Sequence, residues 1–294
     1  MRTYLLGYSL GLGLCFLAAS PSAAIQIANY SSATNDRFAN DPAFVADAYD
    51  LSGVGLNSEG RWLTMISPRV YISAEHYKPS VGSTATFYSG NDPAGTSATR
   101  TLTSNTMQIG DTDLYLGTLD APLPSGFGFY DIATEDVSDL DGFASTPYGL
   151  AEAYVLGRSP GSYPVAQDMA VGRNRLDVWF GLVTISGETG HALGAAVDAP
   201  SDPSYLAFEA DLRTGDSGAP LLVDTGTGRL TIAGINWFVF HPDASYIGMT
   251  YLGNYDHLIQ DFIGTVAPVP EPAAFALILA FLPAALAFSR RKRR

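Results

Sequence analysis

Short apolar runs broken by turn-forming residues constrain the fold of this chain more than any other feature. Between residues 58 and 264, apolar runs alternate with Gly, Pro, Ser, Asn and Asp. Such bounded runs, rich in β-branched and aromatic residues, are typical of strands. We predict strands at 62–66, 70–72, 84–88, 107–109, 114–119, 154–156, 176–185, 205–208, 220–223, 230–239 and 247–252. Many short strands at this spacing indicate an all-β fold built from antiparallel barrels or sandwiches.

A single helical pattern follows the last predicted strand. Its apolar residues recur at the i, i+3, i+4, i+7 and i+8 spacing of one helix face, at Tyr255, Leu258, Ile259, Phe262 and Ile263. Asn254 is the predicted N-cap, and Gly264 stands where the helix should end. We expect this C-terminal helix to pack its apolar face against a barrel.

The first 24 residues (1–24) have the pattern of an export signal. An apolar run at 5–19 follows a basic residue, and Ser22-Ala23-Ala24 supplies the small residues that a signal peptidase recognises. We therefore predict a signal peptide and a mature chain that begins at Ile25. The sequence has one cysteine, Cys15, which lies inside this signal. The mature protein is therefore expected to depend on an ordinary core rather than on disulfides.

The C-terminal end has a three-part pattern. A linker over 265–272 ends in Pro270-Glu271-Pro272, an apolar stretch follows at 273–288, and an arginine-rich end completes the chain. A helix over this stretch is about 24 Å long, shorter than the roughly 30 Å hydrocarbon layer of a bilayer. The strongly basic flank nevertheless favours a membrane-associated segment.

This tail resembles the PEP-CTERM tail of Gram-negative bacteria. The resemblance implies export across the inner membrane, transient anchoring there by residues 273–294, and cleavage by an exosortase-like processing enzyme. It also implies delivery to the cell surface or extracellular matrix. A simple C-terminal membrane anchor is the alternative interpretation.

Removal of both ends makes the chain strongly acidic. The whole sequence has 16 basic and 29 acidic residues and a formal charge of −13. Six of the basic residues but only one acidic residue lie in the two ends, so residues 25–264 keep 10 basic and 28 acidic residues, a charge of −18. This charge argues against nucleic acid and anionic lipid as partners and favours solubility in salt.

A glycine-flanked serine is the strongest chemical signal in the chain. Gly215-Asp216-Ser217-Gly218 lies directly before the predicted strand at 220–223. Glycine tolerates dihedral angles that allow a sharp turn around the hydroxyl, and it lets a substrate carbonyl approach backbone N–H groups closely. We therefore take Ser217 as a candidate nucleophile, whereas an ordinary polar hairpin turn is the alternative.

A serine hydroxyl needs a neighbouring imidazole to take its proton. Four histidines are candidates: His76, His191, His241 and His257. His191 is predicted in a Gly-rich loop at 187–194, His241 in a turn, and His257 on the polar face of the terminal helix. His76 instead follows an apolar strand, where a side chain can be held firmly and still face a cleft. His76 is therefore the candidate base.

The imidazole in turn needs a carboxylate that fixes its tautomer. Asp113 directly precedes the alternating strand predicted at 114–119, and Asp111 lies two residues earlier. We predict Asp113 as the partner of His76 because it abuts the strand, with Asp111 as the alternative.

The order and local context of these residues resemble those of a trypsin-like, chymotrypsin-fold serine protease over residues 60–263. The family's strand and Thr-Ala-Ala-His motif are matched by Ile66-Ser67-Pro68 leading into Ser73-Ala74-Glu75-His76, and its Asp-Ile-Ala-Leu by Asp113-Leu114-Tyr115-Leu116. Its Gly-Asp-Ser-Gly-Gly-Pro is matched by residues 215–220. Later family segments resemble Gly234-Ile235-Asn236-Trp237 and Gly248-Met249-Thr250-Tyr251.

This resemblance implies two six-stranded antiparallel barrels with the catalytic groups in the cleft between them. We place an N-terminal arm at 25–57, the first barrel at 58–142 and the second barrel with the terminal helix at 143–264. The resemblance implies a monomeric serine endopeptidase that acts on polypeptide substrates through an acyl-enzyme, without a cofactor or metal.

The resemblance also implies a role for each candidate residue. His76 would be the general base and then acid, Asp113 would orient it, and Ser217 would be the nucleophile. The N–H groups of Gly215 and Ser217 would form the oxyanion hole. Asp216 would shape the turn rather than act as a second base.

Two interpretations of the substrate pocket remain open from the sequence. Asp211 lies six residues before Ser217, where the resemblance implies an acidic pocket base that favours Lys or Arg. Phe238 follows Trp237 where the family often has a glycine, and a ring there would shrink the pocket and favour small side chains. Trp237 and Gly248 are the remaining predicted pocket residues.

Three departures from the family pattern bear on function. Glu75 replaces a small residue beside His76; it either raises the histidine's pKa or points outward. Ala219 replaces a glycine. The start at Ile25 lacks the glycines of the family's N terminus, so Asp216 is expected to find another partner. A catalytically silent surface- or matrix-binding protein and an esterase with the same triad are the alternative functions.

Overall fold

The computed structural model describes residues 24–241 and 245–266. Residues 1–23 of the predicted signal peptide, the Pro-Glu-Pro motif and the apolar tail lie outside the described residues. Within the part that is described, no helix has the length and apolar character needed to cross a membrane.

The described chain is mostly strand, as predicted. Its strands are β1 (Gln26–Ile27), β2 (Val54–Asn57), β3 (Trp62–Met65), β4 (Val70–Ala74), β5 (Thr84–Tyr88), β6 (Ser97–Gln108), β7 (Leu114–Leu119), β8 (Asp131–Ile132), β9 (Glu152–Gly157), β10 (Ala170–Arg175), β11 (Val178–Ile185), β12 (Glu188–Ala196), β13 (Ala210–Asp211), β14 (Pro220–Asp224), β15 (Leu230–Phe240) and β16 (Tyr246–Tyr251). The helices are α1 (Ser32–Asn35), α2 (Leu140–Ala144) and α3 (Asp256–Thr265), with short 3-10 turns at Arg37–Ala39, Val165–Gln167 and Gly253–Tyr255.

Strands β2 to β7 form a closed six-stranded barrel in the order β2-β3-β4-β7-β6-β5. All the pairs are antiparallel, and β5 closes the barrel by pairing with β2. The interior is filled by alternating apolar residues: Leu63, Met65, Tyr71, Ala85, Phe87, Leu102, Tyr115 and Leu119. The predicted six-stranded first barrel is therefore confirmed, but its first strand, β2, lies in the segment 25–57 that we assigned to the N-terminal arm.

The remaining long strands form a second antiparallel sheet, which differs from the six-stranded barrel that we expected. Its path is β10-β9-β14-β15-β16-β12-β11, and β8 adds a parallel pair to β15, which makes eight strands. Three of these strands, β8, β10 and β12, were not predicted. Together with the closed barrel, this sheet gives the chymotrypsin-like all-β fold class that the sequence indicated.

Strand β12 shows why part of the second sheet was missed. The sequence led us to place His191 in a Gly-rich loop, but His191 lies within β12, paired with Leu182 of β11. Gly194 is required there because a Cβ at this position would lie only 2.1 Å from the backbone oxygen of Ile247 and 2.7 Å from Phe180 Cε2. The glycines of this strand therefore allow close packing, which the sequence alone does not distinguish from loop formation.

Two other predictions of secondary structure are wrong. Residues 205–208 do not form a strand, and Phe208 has a left-handed φ of +69°. Asn254 lies in a 3-10 turn before α3, and its side chain accepts from Val137 N–H (3.0 Å) and donates to Val137 O (2.7 Å) rather than capping the helix. The predicted apolar face of α3 buries Ile259 and Phe262.

The N-terminal arm is tied to both halves of the molecule by two adjacent buried charges. Arg37 is fully buried, and its Nη2 donates to Tyr88 O (2.9 Å) and Gly90 O (3.1 Å) beside the first barrel. Asp36 is also fully buried and accepts from Ser159 Oγ (2.6 Å) in the loop after β9. The arm thus joins the barrel to the second sheet.

A buried carboxyl group of the second sheet titrates far from its ordinary range. Glu209 is 2 % exposed and accepts hydrogen bonds from Asn174 Nδ2 (2.6 Å) and Leu206 N–H (3.0 Å). Burial raises its pKa to about 8, and the nearby negative charges of Asp198 and Asp177 act in the same direction.

We expect Glu209 to make the protein less stable as the pH rises. The folded protein holds this proton up to about pH 8, whereas the unfolded chain releases it near pH 4.5. Between these values each pH unit costs up to about 1.4 kcal/mol of unfolding free energy. In urea unfolding, Glu209→Gln should therefore gain stability relative to the wild type from about pH 5 to about 8. Asp131→Asn, at an exposed position, is the control. If the difference in unfolding free energy between Glu209→Gln and the wild type did not change with pH, the raised pKa of Glu209 would be contradicted.

Candidate active site

Asp113 and His76 meet at the open end of the first barrel. Asp113 is fully buried at the start of β7, and His76 follows β4, the strand that pairs with β7. His76 Nδ1 lies 2.7 Å from Asp113 Oδ2, and His76 N–H donates to Oδ1 at 2.8 Å. Since an ionised carboxylate only accepts, Nδ1 carries the proton and Nε2 is left as the acceptor.

Asp111 does not share this arrangement. Its side chain is exposed, and its backbone carbonyl accepts from Thr189 N–H at 2.7 Å. The structure therefore places Asp113, and not Asp111, against the ring of His76. Glu75 forms an ion pair with Lys78, and its side chain is 14 % exposed.

Ser217 lies on a turn that two left-handed glycines allow. Gly215 has φ +103° and Gly218 has φ +87°. A Cβ on Gly218 would lie 2.8 Å from Ser73 Oγ of strand β4. Gly218 N–H donates to Asn236 O at 3.0 Å, which fixes the turn on β15. The nucleophile turn thus packs directly against the strand that leads to His76.

The N–H groups of Gly215 and Ser217 are available to a ligand. In the described part of the chain neither N–H donates a hydrogen bond. The carbonyl of Gly215 is held instead by Trp62 Nε1 at 3.0 Å, which anchors the turn to the first barrel. The predicted oxyanion donors therefore have the free N–H groups that such a role requires.

His76 and Ser217 line the same cleft of about 270 Å³, together with Tyr77, residues 212–215 and residues 236–239. Among the described residues, no hydrogen bond joins the ring of His76 to the hydroxyl of Ser217. Catalytic hydrogen bonds are often long or poorly aligned without substrate and tighten when it binds. The arrangement brings His76 and Ser217 to one cleft, where no hydrogen bond between the described residues links the ring to the hydroxyl.

Asp216 holds the nucleophile turn from inside the protein. It is 1 % exposed, and its two oxygens accept from Arg158 N–H (2.7 Å) and Arg213 N–H (2.7 Å). Burial raises its pKa to about 8. Ile25 is buried nearby, and its N–H donates to Arg158 O at 3.0 Å. Two backbone N–H groups are thus the partners of Asp216.

The four predicted pocket residues have different surroundings. Trp237 and Phe238 line the cleft, whereas Asp211 and Gly248 do not. Asp211 pairs with Arg213, with Nη1 2.7 Å from Oδ2, and it accepts from Ser245 Oγ at 2.9 Å.

Sequence reasoning missed Arg213 and Asn236, which also line the cleft. Arg213 could have been found from its spacing, because side chains two residues apart in an extended segment point to the same side. Asn236 Nδ2 donates to Leu156 O (2.9 Å) and Asp216 O (3.1 Å) and so links β9 to the nucleophile turn. No local signal in the sequence indicates that link.

The barrel, the second sheet and the cleft together define a chymotrypsin-like fold. No protein-family model and no curated protein matches the chain. Among solved structures, the chain is similar to a mutant of human heparin binding protein (CAP37), with a TM-score of 0.52 and 14 % identity over 75 % of this chain and 95 % of that one. At this identity the likeness shows the fold alone.

The left-handed glycine beside Ser217 can be tested against a matched glycine elsewhere. Gly218→Ala should lower stability by about 2–5 kcal/mol, because it adds a methyl collision to an unfavourable φ. Gly226 has almost the same φ, +88°, but no atom within 4 Å of its Cβ position. Gly226→Ala should therefore cost only about 1–2 kcal/mol. Equal losses for the two variants in chemical unfolding would show that Gly218 is not closely packed.

Proposed function

We propose that this protein is an exported serine endopeptidase that uses His76, Asp113 and Ser217. The observation that carries the proposal is the buried Asp113 carboxylate, whose two oxygens lie 2.7 Å from His76 Nδ1 and 2.8 Å from His76 N, while the same histidine lines the cleft of Ser217. An imidazole fixed in this tautomer can accept a hydroxyl proton, which is the step that a serine nucleophile requires.

In the proposed reaction, the Ser217 hydroxyl gives its proton to His76 Nε2 while its oxygen bonds to the scissile carbonyl carbon. The carbonyl oxygen becomes an oxyanion held by the N–H groups of Gly215 and Ser217. The C–N bond then breaks, and the proton on Nε2 goes to the leaving amine, which leaves an acyl-enzyme. Water repeats the sequence and releases the acid. Loss of one oxyanion donor typically costs about 2.7–4 kcal/mol of transition-state stabilisation.

A fluorophosphonate probe tests the reactive serine directly. The mature protein should be labelled at Ser217, and labelling should be lost in Ser217→Ala and His76→Ala. Asp113→Asn should reduce the labelling rate by about 10⁴-fold, because the ring then takes the wrong tautomer. His257→Ala is the matched control, because this ring is 69 % exposed on α3, and it should be labelled at the wild-type rate. An unlabelled wild type, or labelling that survives His76→Ala, would overturn the proposal.

The alternative functions are separated by substrate. An esterase with the same triad would be labelled but would cleave ester and not peptide substrates. A silent binding protein would not be labelled; the solved structure with the similar fold is named for binding heparin. The charge of −18 over residues 25–264 argues against a polyanion as the ligand here.

We also propose that the chain is exported and cut at both ends, on the strength of the signal-like start and the PEP-CTERM-like tail. Intact mass spectrometry of the protein recovered from a Gram-negative host that has an exosortase should give a chain that begins at Ile25 and ends within 265–272. A host without the exosortase is the control and should yield the chain with its tail. A tail kept in both hosts would favour a simple membrane anchor.

A further inference from the structure

We propose that the side-chain pocket beside Ser217 accepts a small uncharged residue, such as Gly, Ala or Ser, at the position that supplies the scissile carbonyl. This inference rests on the proposed function and names its substrate class. Two features of the described chain carry it: a ring that occupies the pocket, and an internal ion pair that neutralises Asp211, the acid that the sequence analysis assigned to the pocket.

The ring of Phe238 occupies the space in front of Gly248. These two residues are opposite each other on β15 and β16, just after an irregularity in the strand register between Asn236 and Phe238. A Cβ on Gly248 would lie 2.5 Å from Phe238 Cε2 and 2.6 Å from Cε1. The Phe238 ring therefore covers Gly248. It occupies the volume that a glycine at position 238 would leave open to a substrate side chain.

A second ring holds Phe238 in place. Phe180 packs edge to face against it with the centroids 5.2 Å apart. Phe180 in turn lies on Gly194, the residue opposite Gly248 on β12, where a Cβ would come within 2.7 Å of Phe180 Cε2. Two facing glycines thus make room for two rings that pack edge to face. Trp237 packs against Phe238 as well, with the ring centroids 5.4 Å apart. Because Phe180 and Trp237 both contact its ring, Phe238 has little room to turn out of the pocket.

The charge of Asp211 is already satisfied within the protein. Arg213 Nη1 lies 2.7 Å from Asp211 Oδ2, Ser245 Oγ donates to Oδ1 at 2.9 Å, and His241 Nε2 is 4.0 Å from Oδ1. The Asp211 side chain is 14 % exposed and lies outside the cleft lining. A basic substrate side chain would therefore have to displace Arg213 to reach this acid.

Arg213 does not offer a free cation to an acidic substrate either. Besides Asp211, its guanidinium donates to Leu212 O (2.7 Å) and to Gln26 Oε1 of strand β1. The Arg213 guanidinium thus already donates to three acceptors within the protein. Neither an acidic nor a basic substrate side chain would find an unpaired charge here. The cleft as a whole is about 270 Å³, below the roughly 300–1,000 Å³ typical of pockets for drug-sized ligands.

Peptide substrates that differ only in the residue before the scissile bond test this pocket. With the mature protein, we expect kcat/KM for Ala to exceed that for Phe, Lys and Glu by about 100-fold or more, the scale of a strong pocket mismatch. Phe238→Ala should raise kcat/KM for Phe at least 10-fold. The double variant Phe238→Ala/Arg213→Gln should raise kcat/KM for Lys as well, because Asp211 then loses its ion pair with Arg213. The backbone N–H of residue 213 that holds Asp216 is kept in that variant.

Phe240→Ala is the control, because Phe240 lies on the same strand but does not line the cleft, and it should keep the wild-type order of substrates. A wild type that prefers Lys, Phe or Glu would overturn the inference, as would a Phe238→Ala variant that stays labelled by the fluorophosphonate probe but shows no gain with Phe. Labelling of the wild type separates the two proposals. A labelled enzyme with a large or charged preference contradicts only the pocket, and an unlabelled protein contradicts the proposed function itself.

Discussion

The pairing of Asp113 with His76 is the interaction on which the proposed chemistry depends. An unpaired carboxylate in the interior costs several kcal/mol, so a fully buried Asp113 must have both oxygens satisfied. Both go to one residue: one to the ring and one to the backbone N–H of His76. The register of β4 on β7, which pairs Ala74 with Leu114, brings the two residues together. A shift of one residue would turn Asp113 to the other face.

Glycines near Asp113 and His76 have two different structural roles, and only one of these roles can be predicted from the sequence. Gly215 and Gly218 have positive φ in a motif that the sequence identified. Gly194 and Gly248 instead remove side chains so that Phe180 and Phe238 can lie on the sheet. A close approach between strands is a property of the partner strand, so no local pattern reveals it. That is why β12 was taken for a loop.

The parts of the fold that were predictable are those in which neighbouring residues carry the signal. The predicted strands at 84–88 and 114–119 coincide with β5 and β7, because buried and more exposed positions alternate along β5 and because β7 is a short, fully buried run between two aspartates. Asp113 was preferred to Asp111 because it abuts its strand, and it is the residue against the ring. The contacts of the N-terminal arm could not be predicted, because Asp36 binds Ser159, 123 residues away. Distant partners of this kind leave no trace in a single sequence.

The proposed pocket and the proposed catalytic turn share one framework in the second sheet, yet they use different atoms of it. Arg213 contributes its backbone N–H to Asp216, which shapes the nucleophile turn, and its guanidinium to Asp211, which lies outside the lining of the cleft. Asn236 likewise accepts from Gly218 N–H through its backbone and binds the Asp216 carbonyl through its side chain. Because backbone contacts do not depend on side-chain identity, substitutions at position 213 can change which residue the pocket accepts while the turn that carries Ser217 keeps its shape. Arg213 and Asn236 thus hold the turn of Ser217 partly through backbone atoms, which leaves the side chain at position 213 free to vary with the residue that the proposed pocket accepts.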